Sequence, residues 1–232
     1  MSTLPASRAR RIGRPRRQPL SGDEDPSSTI MAAAAGLFGE FGVNGTTMAQ
    51  IATAVGLQQS SLYYYFSSKE AVLAALLAEA NVIPLELVRG IEGGPGPAAV
   101  RLYRFVRGDV IALCGLPFDI NEVHRYASRD AIRFASYWSE RRALHRAITR
   151  IVRDGIASGE FRTVSARLAA ITVMANDEAV QNWFRHDRRP TGNPAAIATY
   201  LAETTVGGLL VDGASLPAVR AAAEQLGTDV GS

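Results

Sequence analysis

The chain has 232 residues, of which 47% are hydrophobic and 20% charged, so it is long enough to bury one substantial core or to join a small domain to a larger one. Its uninterrupted apolar runs fall short of the roughly 18 residues that cross a bilayer, and its basic N-terminus lacks the apolar segment of a secretory signal. The single cysteine, Cys114, excludes an internal disulfide and a multi-cysteine metal site, which favours a protein of the reducing cytoplasm with no membrane partner.

The positive charge is concentrated in an N-terminal arm. The net charge is +3, yet residues 1–20 hold six arginines and no acidic residue; taking these six from the 25 basic residues leaves 19 against 22 acidic ones. A cationic arm on a mildly acidic body favours a polyanionic partner, although a solvated tail would have the same composition. Residues 1–25 show no apolar periodicity, so we expect them to be disordered.

The first predicted helix begins at Asp25-Pro26, where a capping side chain precedes a proline at the first helical position. Gly42 and the Asn44-Gly45 pair should end it. Its apolar face is formed by residues at helical spacing: Ile30, Ala34, Leu37, Phe38 and Phe41.

Two capping boxes predict the next helix starts. Thr47 and Gln50 can cap each other at the start of a second helix, and Ser67-Ser68-Lys69-Glu70 repeats the pattern at the start of a longer one. A short third helix is predicted from about residue 59 to 65. Pro84 should end or kink the fourth helix, because proline cannot donate to the helical ladder.

Beyond the linker at residues 90–97 only helical periodicity is evident, with segments near 134–156, 165–185 and 194–210 and another after Pro217. We therefore predict an all-α protein with an N-terminal helix-turn-helix domain followed by a larger helical domain. The predicted division is a disordered basic arm at 1–25, a three-helix domain at 26–80 and a larger helical domain at 81–232.

The spacing of Ala52, Gly56 and Leu62 is typical of a helix-turn-helix, with a small residue at the crossing, a glycine in the turn and an apolar plug. On the third helix Leu62 would face inward, while hydroxyl and amide side chains would face outward. Such a face can offer hydrogen bonds to base edges and phosphates. The tyrosines at 63–65 could instead be core aromatics.

Lys69 is the only lysine of the chain, and it falls in the first turn of the fourth helix, where the macrodipole disfavours a cation. A phosphate bound beside that turn would explain it, because the phosphate would meet both the ammonium group and free backbone amides. A solvated lysine paired with its acidic neighbour is the alternative.

The segment GVNGTTMAQIATAVGLQQSSLYYYFSSKEAVLAALL, residues 42–77, resembles the TetR family of bacterial transcriptional repressors. The resemblance implies that two subunits bind palindromic operator DNA through their third helices. In the arm, the stretch around Gly13-Arg14-Pro15 resembles the centre of AT-hook peptides, which implies minor-groove contacts. The candidate DNA-binding residues are Thr47, Met48, Gln58, Gln59, Ser60, Ser61, Tyr63, Tyr64, Tyr65, Lys69, Arg14, Arg16 and Arg17.

For the second domain the resemblance implies a homodimer formed by the segments near 165–185 and 194–210, and a pocket for a small-molecule effector. Candidate pocket residues are aromatic or polar side chains on apolar faces, each of which could equally be ordinary core: Tyr103, Phe118, His124, Phe134, Tyr137, Trp138 and Trp183. The three histidines are widely separated, so no metal site and no cofactor are predicted.

Three other functions compete with that of a ligand-released repressor. An enzyme is disfavoured, because the chain contains no nucleophile elbow, phosphate-binding loop or zinc-protease signature. An architectural protein that binds DNA through its arginine-rich arm stays open. So does a transcriptional activator, or a regulator that needs no ligand.

Overall fold

The computed structural model describes residues 25–184 and 192–226, and within these ranges the chain is helical. Their only β pairing is one isolated antiparallel bridge between Phe161 and Leu210, so the all-α prediction is confirmed. The predicted disordered arm, including Arg14, Arg16 and Arg17, lies outside the described residues. The helices are α1 (Pro26–Gly45), α2 (Met48–Ala54), α3 (Gln59–Tyr65), α4 (Lys69–Ile91), α5 (Ala98–Gly115), α6 (Ile120–Ala127), α7 (Ala135–Ala157), α8 (Ala166–Phe184), α9 (Pro194–Gly207) and α10 (Leu216–Gln225).

Helices α1 to α3 and the first half of α4 form the N-terminal domain. Ile30 and Phe38 of α1, Ile51 of α2 and Leu62 of α3 are almost fully buried together in its core. The predicted turn geometry between α2 and α3 is confirmed, since Gly56 has a φ of 68°, a conformation that residues with a side chain rarely adopt. This turn sets the angle at which α3 leaves the core.

Local capping rules predicted α2 correctly and α4 incorrectly. The Thr47 hydroxyl accepts a hydrogen bond from the Gln50 amide, and the Gln50 side chain accepts one from the Thr47 amide at 2.8 Å, as the capping box requires. For α4 the N-cap is Ser68 rather than Ser67, and it accepts a hydrogen bond from the Ala71 amide. The Glu70 carboxylate is therefore not part of a capping box; it contacts α6 instead.

Pro84 does not end α4, which continues from Lys69 to Ile91. The proline is buried, and the helix packs along α5 and α7 on both sides of it. Packing of this apolar surface offsets the one backbone hydrogen bond that the proline removes. As a result α4 runs across residue 80, where the sequence placed the domain boundary, and reaches into the predicted linker at 90–97.

Helix α5 is the centre of the second domain, with α4, α7, α8, α9 and α10 all packed against it. Its N-terminus is capped by a residue that is distant in the sequence. The Glu160 carboxylate accepts hydrogen bonds from the Ala98 and Ala99 amides at 3.1 and 2.9 Å. The second domain is thus a bundle wrapped around one buried helix.

Helix α6 ties this bundle to the N-terminal domain. Glu122 accepts a hydrogen bond from the Val43 amide at 2.8 Å, and the Tyr126 hydroxyl donates one to Glu70 at 2.6 Å. Gly42, at a φ of 72°, permits the close approach of α6, since a Cβ there would lie 2.7 Å from the Glu122 carboxylate. The two domains therefore meet through specific polar contacts at the ends of α1 and α4.

Helix α4 is long and apolar enough, by length and composition, to cross a membrane. The expectation of no membrane-length apolar segment therefore holds only for uninterrupted apolar runs. In the fold α4 is a core helix: Leu73, Leu77 and Val88 are among the side chains that it buries against its neighbours. Apolar helices at the centre of helical bundles commonly meet the same criteria.

Candidate nucleic-acid interface and effector cavity

Helix α3 presents an uncharged polar face to solvent. Leu62 is completely buried beneath it, whereas Gln59 and Ser60 are exposed, and Tyr64 is 86% exposed. Ser61 is half-buried on the flank. The side that points away from the core thus carries amide, hydroxyl and phenol groups, which can donate to and accept from base edges in a major groove.

The three tyrosines of α3 occupy different positions around the helix. Tyr64 stands out from the surface, while Tyr63 is 47% and Tyr65 38% exposed. Tyr65 meets Tyr64 edge to ring, with ring centroids 5.2 Å apart, and the Gln59 amide donates to the Tyr63 hydroxyl at 3.4 Å. None of the three belongs to the buried core.

A concavity of about 460 Å³ lies beside α3, between the beginnings of α2 and α4. Thr47, Gln59 and Tyr63 line it together with Ser68 and Lys69. Two of these side chains already cap helices, so the concavity joins hydroxyl groups to two helix starts. Such a surface suits a phosphate backbone that follows the groove read by α3.

The ammonium group of Lys69 is held by the end of α1. Its Nζ donates to the carbonyl oxygens of Val43 at 2.6 Å and Thr46 at 2.9 Å. Carbonyls at the end of a helix lack partners in the helix itself and carry partial negative charge, so a cation there is stabilising. This contact explains the lysine in the first turn of α4 without a phosphate, although the third ammonium hydrogen stays available to one.

Met48 is only 8% exposed and packs into the core at the start of α2, and it also lines the concavity beside α3. Its contact with DNA stays a prediction. Gln58 is exposed at the N-cap of α3, where its side chain makes no capping hydrogen bond within the described residues.

Comparison with known proteins places these features in a family. The family model described as "Bacterial regulatory proteins, tetR family" matches residues 30–76, and that described as "Tetracyclin repressor-like, C-terminal domain" matches residues 123–209. The crystal structure of AmtR from Mycobacterium smegmatis is 30% identical, with 90% of this chain and 98% of that one covered at a TM-score of 0.71. The chain belongs to the TetR family.

Two further relatives match this chain to different extents. The HTH-type transcriptional regulator RutR of Escherichia coli is 37% identical over 75 residues, which are 32% of this chain but only 35% of RutR. The structure of AibR in complex with isovaleryl coenzyme A and operator DNA is 21% identical, covers 80% of this chain and 98% of that chain, and has a TM-score of 0.68, which shows the shared fold. Membership of the TetR family, shown by the two family models and by the likeness to AmtR, makes this chain a DNA-binding transcriptional regulator rather than an enzyme.

The pocket residues expected from the sequence do not form one site in this TetR-family protein. Tyr103 is buried on the side of α5 that meets α9 and α10, and Trp183 is 40% exposed near the end of α8. Phe134 is buried against the Tyr126 ring, and Phe118 lies in the loop after α5. The structure brings together three of them in one cluster of rings: His124, Tyr137 and Trp138.

A group of buried polar side chains lies next to these rings and was missed by the sequence analysis. Asp109 of α5 is 6% exposed, and Asp177 and Glu178 of α8 are 0% and 9% exposed. Arg141 of α7 forms an ion pair with Glu178. Neither carboxylate oxygen of Asp177 has a hydrogen-bond partner within the described residues.

Burial dominates the titration of this group. The pKa of Asp109 is raised to about 7 by burial and by Glu178, against the opposing effect of Arg141. The pKa of Asp177 is raised well above its ordinary value by burial and then by Asp109 and Glu178. The pKa of His124 is lowered to about 3 by burial and then by Arg141. That ring is therefore neutral, and its contact with Glu178 is not an ion pair.

A cavity of about 260 Å³ opens beside this group, between α1, α4, α5 and the loop after α5. Its walls are mostly apolar, with Leu76 and Ile83 from α4 and Leu113 and Phe118 from the α5 side. Asp109 is the carboxylate on its α5 wall. Within the described part of the chain, the residues suited to hold a metal ion form no cluster.

The sequence did contain one signal for Asp109. Phe105, Asp109 and Leu113 recur every fourth residue, which puts a carboxylate on the apolar face of α5. An acidic residue at such a position needs a partner or a proton when it is buried. Asp177 follows Val173 in the same way on α8, but its proximity to Asp109 appears only in the fold.

Proposed function

We propose that this regulator represses transcription as a homodimer bound to a palindromic operator in the cytoplasm, and that a small molecule releases it from DNA. The observation that carries the proposal is the uncharged face of α3, with Tyr64 at 86% exposure above a completely buried Leu62. A helix whose outer side chains are amides and hydroxyls is suited to distinguishing base pairs.

The N-terminal domain itself offers little positive charge for DNA. Residues 26–80 contain one basic and three acidic side chains: Lys69 against Glu40, Glu70 and Glu79. Since Lys69 already donates to two carbonyls, electrostatic attraction to phosphates must come mainly from elsewhere. We propose that the arginines of residues 1–20, Arg14, Arg16 and Arg17 among them, supply it.

Deletion of residues 1–20 tests the role of the arm. Each neutralised phosphate contributes about −0.9 to the slope of log K against log salt, so the truncated protein should show a markedly flatter slope. The order of preference among operator sequences should persist, because α3 is intact. An unchanged salt slope would remove the arm from the interface.

The homodimer is supported by uncharged stripes on α8 and α9. Leu168 is 63% and Ile171 43% exposed on α8, and Tyr200 is 65% exposed on α9. A groove of about 400 Å³ lies between these helices, with Leu168 and Gly208 among its lining residues. Large exposed apolar side chains along two neighbouring helices are typical of a subunit interface.

Sedimentation equilibrium measures this directly. The wild-type protein should be a dimer, and Leu168→Glu should shift it to monomer, because a charge placed in an apolar interface must be desolvated. Ile132→Glu is the matched control: Ile132 is 91% exposed and lies between α6 and α7, so the dimer should persist. Dissociation by both variants, or by neither, would contradict an interface on α8.

Release by a small molecule requires that the effector bind more tightly to the form that does not bind DNA, by a coupling free energy of about 1–3 kcal/mol. The contacts of α6 with the ends of α1 and α4 offer a route for that coupling, since Glu122 and Tyr126 bond directly to the N-terminal domain. The AibR complex with isovaleryl coenzyme A and operator DNA supports a small-molecule effector in proteins of this fold.

A mobility-shift competition tests the proposal against an architectural role. A repressor should retain its operator fragment in a large excess of random DNA, and Gln59→Ala should lose about 1–3 kcal/mol of that specific binding free energy. Gln225→Ala, an exposed amide on α10, is the control. Loss of the shifted band in random DNA, with equal behaviour of the two variants, would favour architectural binding through the arm.

A further inference from the structure

The interior between α5, α7 and α8 holds more carboxyl groups than cations. Glu178 is balanced by Arg141, whereas Asp109 and Asp177 face each other and Glu178 with no further cation among the described residues that influence them. The remaining neighbours are the neutral His124 of α6 and the Tyr137 hydroxyl of α7, to which the His124 ring is hydrogen-bonded. Among the described residues, these two acids are thus buried without a counter-charge.

An uncompensated buried carboxylate is costly, so at rest this pair must hold at least one proton. The Asp177 oxygens nonetheless lack hydrogen-bond partners within the described residues, although Asp177 is fully buried. Buried polar groups in folded proteins nearly always have partners. Asp177, whose pKa is raised well above its ordinary value, therefore retains its proton, and Asp109 beside it is the carboxyl group of the pair that can ionise and so pair with a ligand of opposite charge.

The neighbouring cavity gives such a ligand access. Asp109 lies on its α5 wall, and the exposed Glu79 of α4 lies at its edge. Every other described residue that lines it is apolar except Ser28, and none is basic. The cavity thus combines apolar walls with the carboxylate of Glu79 at its edge and the ionisable carboxyl group of Asp109 on its α5 wall.

We propose that this cavity binds an organic cation, a protonated amine with an apolar body, whose ammonium group is held by Asp109. The inference rests on the proposed function, because it specifies the chemical class of the effector. An ammonium group supplies the missing counter-charge and up to three hydrogen-bond donors. An anionic ligand would add a negative charge beside Glu79 and Asp109, in a cavity whose described lining contains no basic residue.

The position of the cavity connects this ligand to DNA binding. Its walls include α1 and α4, the two helices that carry the helix-turn-helix, and α5 of the second domain. A body placed between them acts on the angle at which α1 and α4 leave the bundle. The ligand therefore binds at the junction of the two domains rather than deep within one of them.

Binding of a cation should be linked to proton release. Asp109, whose pKa is raised to about 7, holds a proton below that pH and must ionise to pair with the ammonium group. The affinity should therefore rise with pH by up to about tenfold per unit below about pH 7, for each proton released. The groups that face this pair are Glu178 of α8, Arg141 and Tyr137 of α7 and His124 of α6.

The experiment compares three probes of one shape on the full-length protein by isothermal titration calorimetry and thermal unfolding: n-hexylamine, 1-hexanol and hexanoate. A second set uses 2-phenylethylamine, 2-phenylethanol and phenylacetate. We expect each amine to bind about tenfold or more tightly than its neutral and anionic counterparts, and to release a proton that is detected by repeating the titration in buffers of different ionisation enthalpy. Equal or weaker binding of both amines would overturn the proposal.

Variants locate the site. Asp109→Asn should abolish the preference for amines, while Glu86→Gln, an exposed carboxylate on α4, should leave it intact. The aspartate variant is expected to fold, since an amide replaces a buried carboxyl group of similar size, and its unfolding transition shows whether it does. If it loses its fold, Glu79→Gln replaces it and should weaken amine binding. A preference that survives all of these changes would place the cation elsewhere and contradict the proposal.

Operator release separates this inference from the function on which it rests. If the amines bind as described but leave operator affinity unchanged, the binding site stands and release by a ligand at this site is wrong. If a neutral or anionic probe releases the operator and the amines do not, ligand-controlled repression stands and the cationic class is wrong.

Discussion

The outer face of α3 and the interior between α5 and α8 each carry side chains that are unusual for their location. Helix α3 exposes aromatic rings and uncharged polar groups where contact with phosphates would favour arginine and lysine. The α5–α8 interior buries Asp109 and Asp177 where packing would favour apolar side chains. Residues that are costly in their location commonly serve a function, and the two functions that we propose here are recognition of bases and recognition of a ligand.

Leu62→Ala should produce the largest effect, because it removes the completely buried side chain under α3. Truncation of a buried leucine costs about 2–5 kcal/mol, and here the loss should fall on the N-terminal domain. Urea unfolding monitored by tyrosine fluorescence measures it. Leu226→Ala, at a partly exposed position after α10, should cost far less, and similar losses for both would show that α3 is not packed as described.

Asp109→Asn should stabilise the protein, by an amount that depends on pH. The folded-state pKa of about 7 lies above the ordinary value of 3.8, so the folded wild-type protein retains a proton that the unfolded chain loses. Wild-type stability should therefore fall as pH rises from about 4 to about 7 and then level off, each unit of pKa shift being about 1.4 kcal/mol.

The variant lacks this titration, so its advantage over the wild type should grow across that pH range. Chemical unfolding at pH 5 and pH 8 gives the comparison, and Glu86→Gln provides a control with an exposed carboxylate on α4. A constant difference between Asp109→Asn and the wild type at the two pH values would exclude a buried, protonated Asp109.

Tyr126→Phe should have a smaller effect, about 1–2 kcal/mol, because it removes one hydrogen bond from a phenol to the Glu70 carboxylate. That bond is the largest cause of the lowered pKa of Glu70, so part of its stabilisation is lost as pH falls through that pKa, below 4.5. Unfolding of the variant at pH 7 and pH 4 measures both effects. Tyr200→Phe, an exposed phenol on α9, should change neither. If Tyr126→Phe left stability unchanged, the Tyr126–Glu70 hydrogen bond would not contribute to the link between the domains.

Tyr64→Ala should leave stability within about 0.5 kcal/mol of the wild type, because the side chain is 86% exposed. Operator binding should nevertheless weaken if this ring lies in the groove. Thermal unfolding and fluorescence anisotropy with labelled DNA measure the two quantities on the same sample. A destabilised variant, or a stable one with full operator affinity, would contradict an outward recognition role.

Features set by neighbouring residues in the chain were predicted well. The Thr47–Gln50 capping box, the positive φ of Gly56 and the limits of α3 all depend on side chains within a few residues of one another. The inward position of Leu62 followed from helical periodicity alone.

Features set by distant residues could not be predicted. The position of Lys69 is explained by the carbonyls of Val43 and Thr46, which lie more than 20 residues away. The helix continues past Pro84 because packing against α5 and α7 outweighs a local rule. Likewise, Asp109 and Asp177 are 68 positions apart, and only the packing of α5 on α8 brings them together.

Selection of bound sequences from a random DNA pool tests most directly the claim that the uncharged face of α3 reads DNA. The wild-type protein should enrich a palindrome, and the triple variant Gln59→Ala, Ser60→Ala, Tyr64→Ala should lose the preference at defined positions in both half-sites while it still binds DNA weakly. Enrichment of no sequence by the wild type, or of the same palindrome by the triple variant, would show that α3 does not read the operator.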